Sequence, residues 1–278
     1  MADNSLPPDA KQRFYDQIDN WRGYNKQKIK VYLNLLNQLI ESKGIDNLRV
    51  LDLGCYDGRF GKLVLDETGL LIDGADISPD NLSKATSLRR KFHEDLDSPS
   101  WWKIDGTYDL IFAGDIIEHL INTDEFLINI NRLLKPNGLV VVSTPNVASL
   151  GRRLLLLFGK SPFLEISKIQ EVNLHYAPIV GHIRYFTPSS LQSLLSYWGF
   201  KPISYHHNGI GLPGLLNSYK LGVMFPGLAT HMTIIAKKSR NIETDLPLKF
   251  ETNLETADDL PTYATSAQHK IIRGEGNT

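Results

Sequence analysis

Three side chains that can bind a metal ion or move a proton lie close together in the middle of the sequence. Asp115, Glu118 and His119 are three or four residues apart, which places them on one face if a helix begins there. Two carboxylates and an imidazole are side chains that ligate metal ions, so such a set has the chemistry of a metal site. His119 alone would instead suit a general base, since an imidazole pKa of about 6.5 allows removal of a hydroxyl proton at neutral pH. The residues leave both routes open.

A second set of residues predicts a ligand site over a glycine turn. An apolar run that contains Asp52 leads through Gly54 and Gly58 into helix-forming sequence. Glycines let the backbone turn tightly and approach a ligand, and the helix start offers unpaired amide donors. Asp76 follows Gly54 by 22 residues, the spacing at which doubly wound folds place an acid against ribose hydroxyls. For two glycines alone, the alternative is an ordinary strand–turn–helix corner.

The charges around the turn distinguish two nucleotide-type cofactors. Asp52 and Asp57 bracket the turn, and Tyr56 stands where a dinucleotide fingerprint has its second glycine. Carboxylates repel the pyrophosphate of NAD, whereas they attract the ammonium and sulfonium cations of S-adenosylmethionine. The turn therefore favours S-adenosylmethionine.

The order of these motifs resembles that of class I S-adenosylmethionine-dependent methyltransferases. Residues 50–58 (VLDLGCYDG) resemble the first motif of that family, residues 74–78 (GADIS) its ribose acid motif, and residues 93–96 (HEDL) its adenine loop. Residues 108–120 (YDLIFAGDIIEHL) and 133–146 (LLKPNGLVVVSTPN) resemble its fourth and fifth strands. The resemblance implies an α/β fold with a Rossmann-like, doubly wound, seven-stranded and mostly parallel sheet and N-terminal cap helices.

The resemblance also implies which positions contact the cofactor. These are Asp52, Gly54, Cys55, Gly58, Asp76, Ile77, Asp95, Leu96 and Gly114. Tyr56 departs from the family pattern, which most often has glycine there, and its ring could crowd or cover the pocket. Cys55 is interpreted as a small residue packed in the turn rather than a nucleophile, because no histidine lies near it in sequence.

Residues 115–119 resemble an acid-x-x-Glu-His motif that serves some methyltransferases as a divalent cation site. The motif occurs in some methyltransferases related to ubiquinone-biosynthesis O-methyltransferases and in the small-RNA 3′-terminal 2′-O-methyltransferases. Residues 181–187 (GHIRYFT) resemble the segment that supplies a further histidine in the RNA enzymes. The resemblance implies a site for Mg²⁺ or Mn²⁺, which would orient and acidify a substrate hydroxyl. Its metal ligands would be Asp115, Glu118, His119 and His182. His119, Glu118 and His182 are the predicted catalytic residues, with or without a metal ion. The alternative is a structural role, because many members of the wider family keep Glu-His-Leu and a later His-x-Arg-x-Phe with acids that orient the loop and histidines that form hydrogen bonds.

A second resemblance leaves a function without catalysis open. Residues 143–153 and 158–162 are similar to methionine-biosynthesis protein W, a methyltransferase-fold protein associated with partner activation in acyl-homoserine formation. The alternative to an enzyme is therefore a methyltransferase-fold binding or activator subunit.

The methyl acceptor is predicted to bind in an insertion that precedes a helix near Thr187. Candidate contacts to an anionic or sugar-like acceptor are Arg152, Arg153, Lys160, His175, Tyr176 and His182. Residues 154–158 and 210–228 are rich in apolar side chains, which indicates a core or dimer contact, a greasy acceptor or a peripheral membrane contact. The predicted acceptor is a small-molecule, lipid-linked or saccharide hydroxyl.

Alternating strands and helices must position these residues. The sequence predicts a helical cap over residues 1–45, a methyltransferase domain over 46–239 with the insertion at about 150–186, and a flexible tail over 240–278. The predicted strands are 49–53, 71–76, 91–93, 110–114, 139–143, 203–206 and 231–236. A helix is predicted to begin at Thr187, which is followed by Pro188 and Ser190 in capping fashion.

Composition agrees with a single α/β domain and extensions. The chain has 278 residues, of which 42% are hydrophobic, enough for a large core. A net charge of −1 gives no general reason to expect nucleic acid as a partner. One cysteine and the lack of an apolar leader favour the cytoplasm.

Overall fold

The computed structural model describes residues 26–99, 101, 103–163, 181–212 and 216–242. The first part of the predicted cap, His175 and Tyr176 in the insertion, and nearly all of the predicted tail lie outside the described residues.

Nine strands form two sheets in the described part of the chain. They are β1 (Val50–Leu53), β2 (Asp73–Asp76), β3 (Lys91–His93), β4 (Tyr108–Gly114), β5 (Leu134–Pro145), β6 (Phe200–His207), β7 (Ile210–Leu212), β8 (Leu216–Ser218) and β9 (His231–Lys238). Seven of them form the main sheet in the order β3-β2-β1-β4-β5-β9-β6, in which β9 runs opposite to the other six strands. β7 and β8 form a separate antiparallel hairpin. The prediction of a doubly wound, mostly parallel, seven-stranded sheet is confirmed.

The helices fall between the strands, as an α/β fold requires. They are α1 (Lys26–Lys43), α2 (Arg59–Thr68), α3 (Pro79–Lys84), α4 (Thr123–Leu133), α5 (Leu150–Leu157), α6 (Pro188–Tyr197) and α7 (Tyr219–Met224). The predicted start of α6 is confirmed, because the Thr187 hydroxyl accepts a hydrogen bond from the Ser190 amide at 3.1 Å in a capping box. Of the helices described, none has the length and apolar character needed to cross a membrane.

The core lies on both faces of the sheet, and β4 shows how one strand serves both. Leu110 and Phe112 point to the side of α1, where the Phe112 ring stacks on Tyr32 with 4.6 Å between ring centroids. Ile111 and Ala113 point to the other side, where α4 supplies Phe126. Successive side chains of a strand point to opposite faces of the sheet. Alternate side chains of β4 therefore pack against α1, which holds this helix on the centre of the sheet.

The parallel strands β1, β2, β4 and β5 all end at the same edge of the sheet. This carboxyl edge is where open α/β sheets bind ligands. Asp76 is the last residue of β2, whereas the glycine turn, Asp115 and Asn146 directly follow β1, β4 and β5, so all of them lie at that edge.

Candidate cofactor and catalytic site

The glycine turn that follows β1 requires glycine for its backbone shape and for packing within the chain. Gly54 and Gly58 have φ angles of 73° and 76°. A Cβ atom at Gly54 would lie 2.1 Å from Cδ1 of Ile116, and one at Gly58 would lie 2.7 Å from the Cβ of Ala85. The predicted tight turn is present, and the atoms that would exclude a side chain belong to the protein itself.

Asp76 is buried at the end of β2 and ties that strand to the turn. One carboxylate oxygen accepts the Tyr56 amide and the other accepts the Ser78 amide, both at 2.9 Å. Tyr56 adopts a φ of 51°, and its ring lies 5.0 Å from the Arg59 guanidinium carbon. The residue that departs from the family pattern thus directs its amide to Asp76, while Arg59 covers its ring.

The two acids that bracket the turn have different electrostatic environments. Burial raises the pKa of Asp52 to about 8, and the neighbouring Asp76 adds to this while Lys28 opposes it. Asp57 instead pairs with Arg59, whose hydrogen bond lowers its pKa. Asp52 is therefore the acid that a bound cation would stabilise in its charged form, whereas the charge of Asp57 is already balanced by Arg59.

The remaining predicted cofactor positions border the same edge. The Cys55 thiol is buried, and burial raises its pKa, as expected for a packed residue. The Ile77 carbonyl lies 3.0 Å from Nε2 of His93. Asp95 accepts the amide of Asp97 at 3.0 Å, and Leu96 belongs to the core. Contact of any of these positions with a cofactor stays a prediction.

Helix α1 reaches across the end of β4 through a lysine that the sequence reasoning missed. Lys28 donates to Asp115 at 2.6 Å, and Ser143 donates to the other carboxylate oxygen at 2.9 Å. A Cβ atom at Gly114 would lie 3.2 Å from the Tyr32 hydroxyl and 3.5 Å from Nζ of Lys28. The sequence does contain a signal, because Lys28 stands four residues before Tyr32 and eight before Leu36, both of them buried.

The opposite end of α1 is fixed to β4 as well. Lys43 contacts Asp109 at 2.5 Å, while Lys28 binds at the carboxyl edge. Burial disfavours charge on Lys28 and Asp115 alike, but their mutual attraction outweighs it, so the pKa of Lys28 is raised and that of Asp115 is lowered. Both groups are consequently ionised at neutral pH.

Replacement of Lys28 by methionine is expected to lower the free energy of unfolding by about 2 kcal/mol, since it leaves the Asp115 carboxylate without its cation. The estimate lies below that for a fully buried pair because the Asp115 side chain is 37% exposed. Urea denaturation would measure the change. The double variant Lys28→Met/Asp115→Asn is the control, and it should recover part of the loss; a double variant no more stable than the single one would contradict the charge explanation.

The segment after β4 is not the helix start that the spacing predicted. Asp115 has a left-handed φ of 59°, residues Ile117–His119 form one 3₁₀ turn, and α4 begins only at Thr123 with Asn122 as its cap. A left-handed residue cannot continue into a right-handed helix, so Asp115 does not share a helical face with Glu118. The predicted convergence of Asp115 with Glu118 and His119 through helix geometry was wrong, and Asp115 is held by Lys28.

Glu118, His119 and His182 do come together, although His182 lies far along the chain. One ligand atom from each lies within 4.8 Å of the others. The amides of Ile183 and Arg184 both donate to the Glu118 carbonyl at 2.9 Å, which fixes residues 181–184 beside the 3₁₀ turn. Three of the four residues in the predicted metal set therefore form a cluster at the carboxyl edge.

The chemistry of this cluster fits a cation. Glu118 is buried, and neither of its oxygens has a partner within hydrogen-bonding distance among the described residues; Nε2 of His182 lies 4.0 Å from one of them. Nδ1 of His119 lies 3.3 Å from the Gly181 carbonyl, an arrangement that places the proton on Nδ1 and leaves the lone pair on Nε2. One carboxylate and two imidazoles suit Mn²⁺ better than Mg²⁺, which prefers oxygen ligands.

Two residues of the cluster have shifted pKa values, and a bound cation would be compatible with both shifts. Burial and the nearby Asp115 raise the pKa of Glu118 to about 8. Burial, followed by His119 and Arg152, lowers the pKa of His182 to about 4. The low pKa keeps the His182 imidazole neutral, which is the form that binds a metal ion. A bound cation would lower the pKa of Glu118 and so restore its charged carboxylate.

We expect Glu118→Gln to stabilise the metal-free protein as the pH rises. The native carboxyl keeps its proton up to a pH of about 8, whereas an unfolded glutamate loses it near 4.5, so stability is present at low pH and falls between these values. Glutamine removes that loss, which gives the variant an advantage on the order of 2 kcal/mol at about pH 8 over its advantage at about pH 5. Urea denaturation of both proteins at several pH values, with a chelator present, would measure this advantage. A difference in the free energy of unfolding that stays constant from about pH 5 to about pH 8 would contradict the raised pKa.

The described part of the insertion places one of its basic side chains near this cluster. Arg152 is half-buried, burial lowers its pKa, and its charge lowers the pKa of His182. Arg153 and Lys160 are exposed, and Arg153 donates to the Ala148 carbonyl at 2.6 Å. Of the three, Arg152 is the one whose charge reaches the cluster, and its contact with an acceptor stays a prediction.

Comparison with known proteins establishes the family. A sequence profile described as a methyltransferase domain matches residues 23–205, about two thirds of the chain. The chain belongs to this methyltransferase family. The resemblance inferred from the motifs is confirmed, and with it S-adenosylmethionine as the cofactor of the family to which the chain belongs.

Curated relatives of this methyltransferase-family chain include two ubiquinone biosynthesis O-methyltransferases. The protein from Bradyrhizobium diazoefficiens is 35% identical over 106 residues, which are 37% of this chain and 42% of that relative. The one from Rickettsia conorii is 30% identical over 115 residues, 38% of this chain and 37% of the relative. The chain thus spans less than half the length of these relatives.

Solved structures share the fold at low sequence identity. An S-adenosylmethionine-dependent methyltransferase from Clostridium acetobutylicum has a TM-score of 0.52 and 12% identity, and the match covers 84% of this chain and 99% of that one. The N-methyltransferase NodS from Bradyrhizobium japonicum, solved with S-adenosyl-L-homocysteine, has a TM-score of 0.51, 12% identity and the same coverage. These likenesses confirm the class I methyltransferase fold.

Proposed function

We propose that this protein transfers a methyl group from S-adenosylmethionine to a hydroxyl oxygen of a small-molecule, lipid-linked or saccharide acceptor. The observation that carries the proposal is the buried Glu118 carboxyl beside His119 and His182, at the sheet edge that also holds the glycine turn. A hydroxyl is a weak nucleophile until its proton is withdrawn, and this cluster is the group of described residues suited to withdraw it. The relatives named ubiquinone biosynthesis O-methyltransferase support oxygen as the target atom.

The residues at the glycine turn would bind and orient the cofactor. Asp76 stands where two ribose hydroxyls can donate to its oxygens, and Asp52 supplies a buried acid for the ammonium group. S-Adenosylmethionine, when bound, supplies an electrophilic methyl group and a neutral thioether leaving group. The protein then has to align the acceptor oxygen with that methyl group and to exclude water, a task to which α1 contributes through Lys28 and Tyr32.

The catalytic cluster would hold a divalent cation through Glu118, Nε2 of His119 and His182. Such an ion would polarise the acceptor hydroxyl and lower its pKa. Without a metal ion, the same lone pair on His119 would accept the hydroxyl proton, and Arg152 would contact an anionic group of the acceptor. The unpartnered Glu118 favours the metal version, because a buried carboxyl without a hydrogen bond is otherwise costly.

Labelled S-adenosylmethionine incubated with the protein and a metabolite extract would test the proposal. A labelled product whose methyl group is bound to oxygen is the expected result. Cofactor that binds without turnover over the same extract would contradict it and favour the activator subunit that resembles methionine-biosynthesis protein W. A thermal-shift comparison of S-adenosyl-L-homocysteine with NAD, each with and without Mn²⁺, would separately establish which cofactor and metal bind.

A further inference from the structure

Two short helices beside the β7–β8 hairpin expose large apolar side chains. Both α5 and α7 contact β7, so they flank the same hairpin. The exposed side chains are Leu156, Leu157 and Phe158 at the end of α5, and Val223, Met224 and Phe225 at the end of α7. Leu157 and Phe158 are 74% and 73% exposed, and Met224 is 67% exposed. We call these six residues the apolar rim.

The apolar rim adjoins the edge of the sheet that carries the candidate site. Asn146, which follows β5, donates to the carbonyls of Gly227 and Ala229 at 2.9 Å. The Tyr205 hydroxyl donates to the Pro226 carbonyl at 3.0 Å. These bonds attach the segment that follows α7 to the carboxyl edge of the sheet.

The charges in this part of the chain are strongly one-sided. Residues 126–242 contain 12 lysine and arginine residues but only two acidic ones, Glu165 and Glu171, whereas the whole chain has a net charge of −1. Neither α5 nor α7 contains an acidic residue. Arg153, Lys160 and Lys220 are exposed in or next to the two helices. Exposed apolar side chains on two helices that carry basic and no acidic residues complement the surface of an anionic bilayer.

We propose that the apolar rim docks on an anionic lipid bilayer. Leucine, methionine and phenylalanine side chains would enter the boundary between headgroups and acyl chains, while Arg153, Lys160 and Lys220 would contact lipid phosphates. A second copy of the chain fits less well, because two such surfaces would bring like charges together. The docking goes beyond the proposed methyl transfer and does not depend on it.

Co-sedimentation with vesicles tests this surface directly. One set of vesicles contains phosphatidylcholine alone and the other an equal mixture of phosphatidylcholine and phosphatidylglycerol. The protein should partition onto the mixed vesicles at least about tenfold more strongly, and added salt should weaken that binding. Equal binding to both sets, or no binding to the mixed set, would overturn the proposal.

Matched variants locate the contact. Leu157→Ser/Phe158→Ser and Lys220→Glu should each reduce partition onto the mixed vesicles by about tenfold. Leu71→Ser is the control, since Leu71 is 45% exposed just before β2, at the other edge of the sheet. An unchanged thermal shift with S-adenosyl-L-homocysteine would show that each variant is folded. The variants would contradict bilayer docking if they bound vesicles like the wild type while light scattering showed that they convert a dimer into a monomer. That result would assign the apolar rim to contact with a second copy of the chain.

Discussion

Replacing Glu118 by glutamine is expected to reduce turnover about 100-fold or more while the affinity for S-adenosyl-L-homocysteine stays within about twofold. Glutamine keeps the size of the side chain but cannot become an anion. The cluster then loses the negative charge that would hold a divalent cation between His119 and His182. Single-turnover kinetics with saturating cofactor would measure the chemical step apart from binding.

Two comparisons separate the metal version from the base version. A chelator should abolish the activity of the wild type, and Mn²⁺ should restore it. Activity that survives the chelator but is lost in His119→Ala would assign the proton to His119 alone. Glu125→Gln is the matched control, because Glu125 lies at the start of α4, outside the cluster, and should retain full activity.

Loss of activity in Glu118→Gln would not stem from unfolding. The same variant is expected to be more stable than the wild type as the pH rises in the absence of metal, because the buried carboxyl has a raised pKa. A variant that is stable but inactive is the signature of a group kept for its chemistry. Full turnover in Glu118→Gln would remove Glu118 from the mechanism.

The second large effect is expected at Asp76. Asp76→Ala should weaken the binding of S-adenosylmethionine by about 2 kcal/mol, close to 30-fold in the dissociation constant, through loss of a charge-assisted pair of hydrogen bonds. Isothermal calorimetry would measure this change. Asp80→Ala is the control, because Asp80 is exposed in the first turn of α3.

Asp76 also has a structural role in the glycine turn, so a second variant is needed to separate the two roles. Asp76 also accepts the amides of Tyr56 and Ser78, so alanine would disturb the turn as well as the ribose contact. Asp76→Asn retains one acceptor oxygen and should keep more of the fold while it still weakens binding. An unchanged dissociation constant in both variants would show that Asp76 does not contact the cofactor.

The sequence predicted the fold because local patterns and chain connectivity carry most of that information. β3 occupies residues 91–93, as predicted, and each of the other six strands of the main sheet includes most or all of the residues predicted for it. A glycine turn and an acid about 20 residues later meet at one edge because parallel strands all end there. The sequence alone therefore places Asp76 at the end of β2.

Tertiary structure decided which charges are available at the site. Asp57 and Asp52 looked equivalent in sequence, yet Arg59 neutralises Asp57 while Asp52 is buried. Lys28 lies on a helix that precedes the glycine turn, and only the packing of α1 on β4 brings it to Asp115. Ion pairs depend on distances in space, which residue spacing does not give.

By itself, the sequence determined the sheet, its glycine turn and the residue types of the candidate catalytic cluster. The tertiary structure decided how these residues come together. The left-handed Asp115 ends β4 without starting a helix, and the backbone bonds from Ile183 and Arg184 to Glu118 bring His182 into place. A local pattern reports the structure of a few neighbouring residues, whereas a site built from segments about 60 residues apart exists only once the chain has folded.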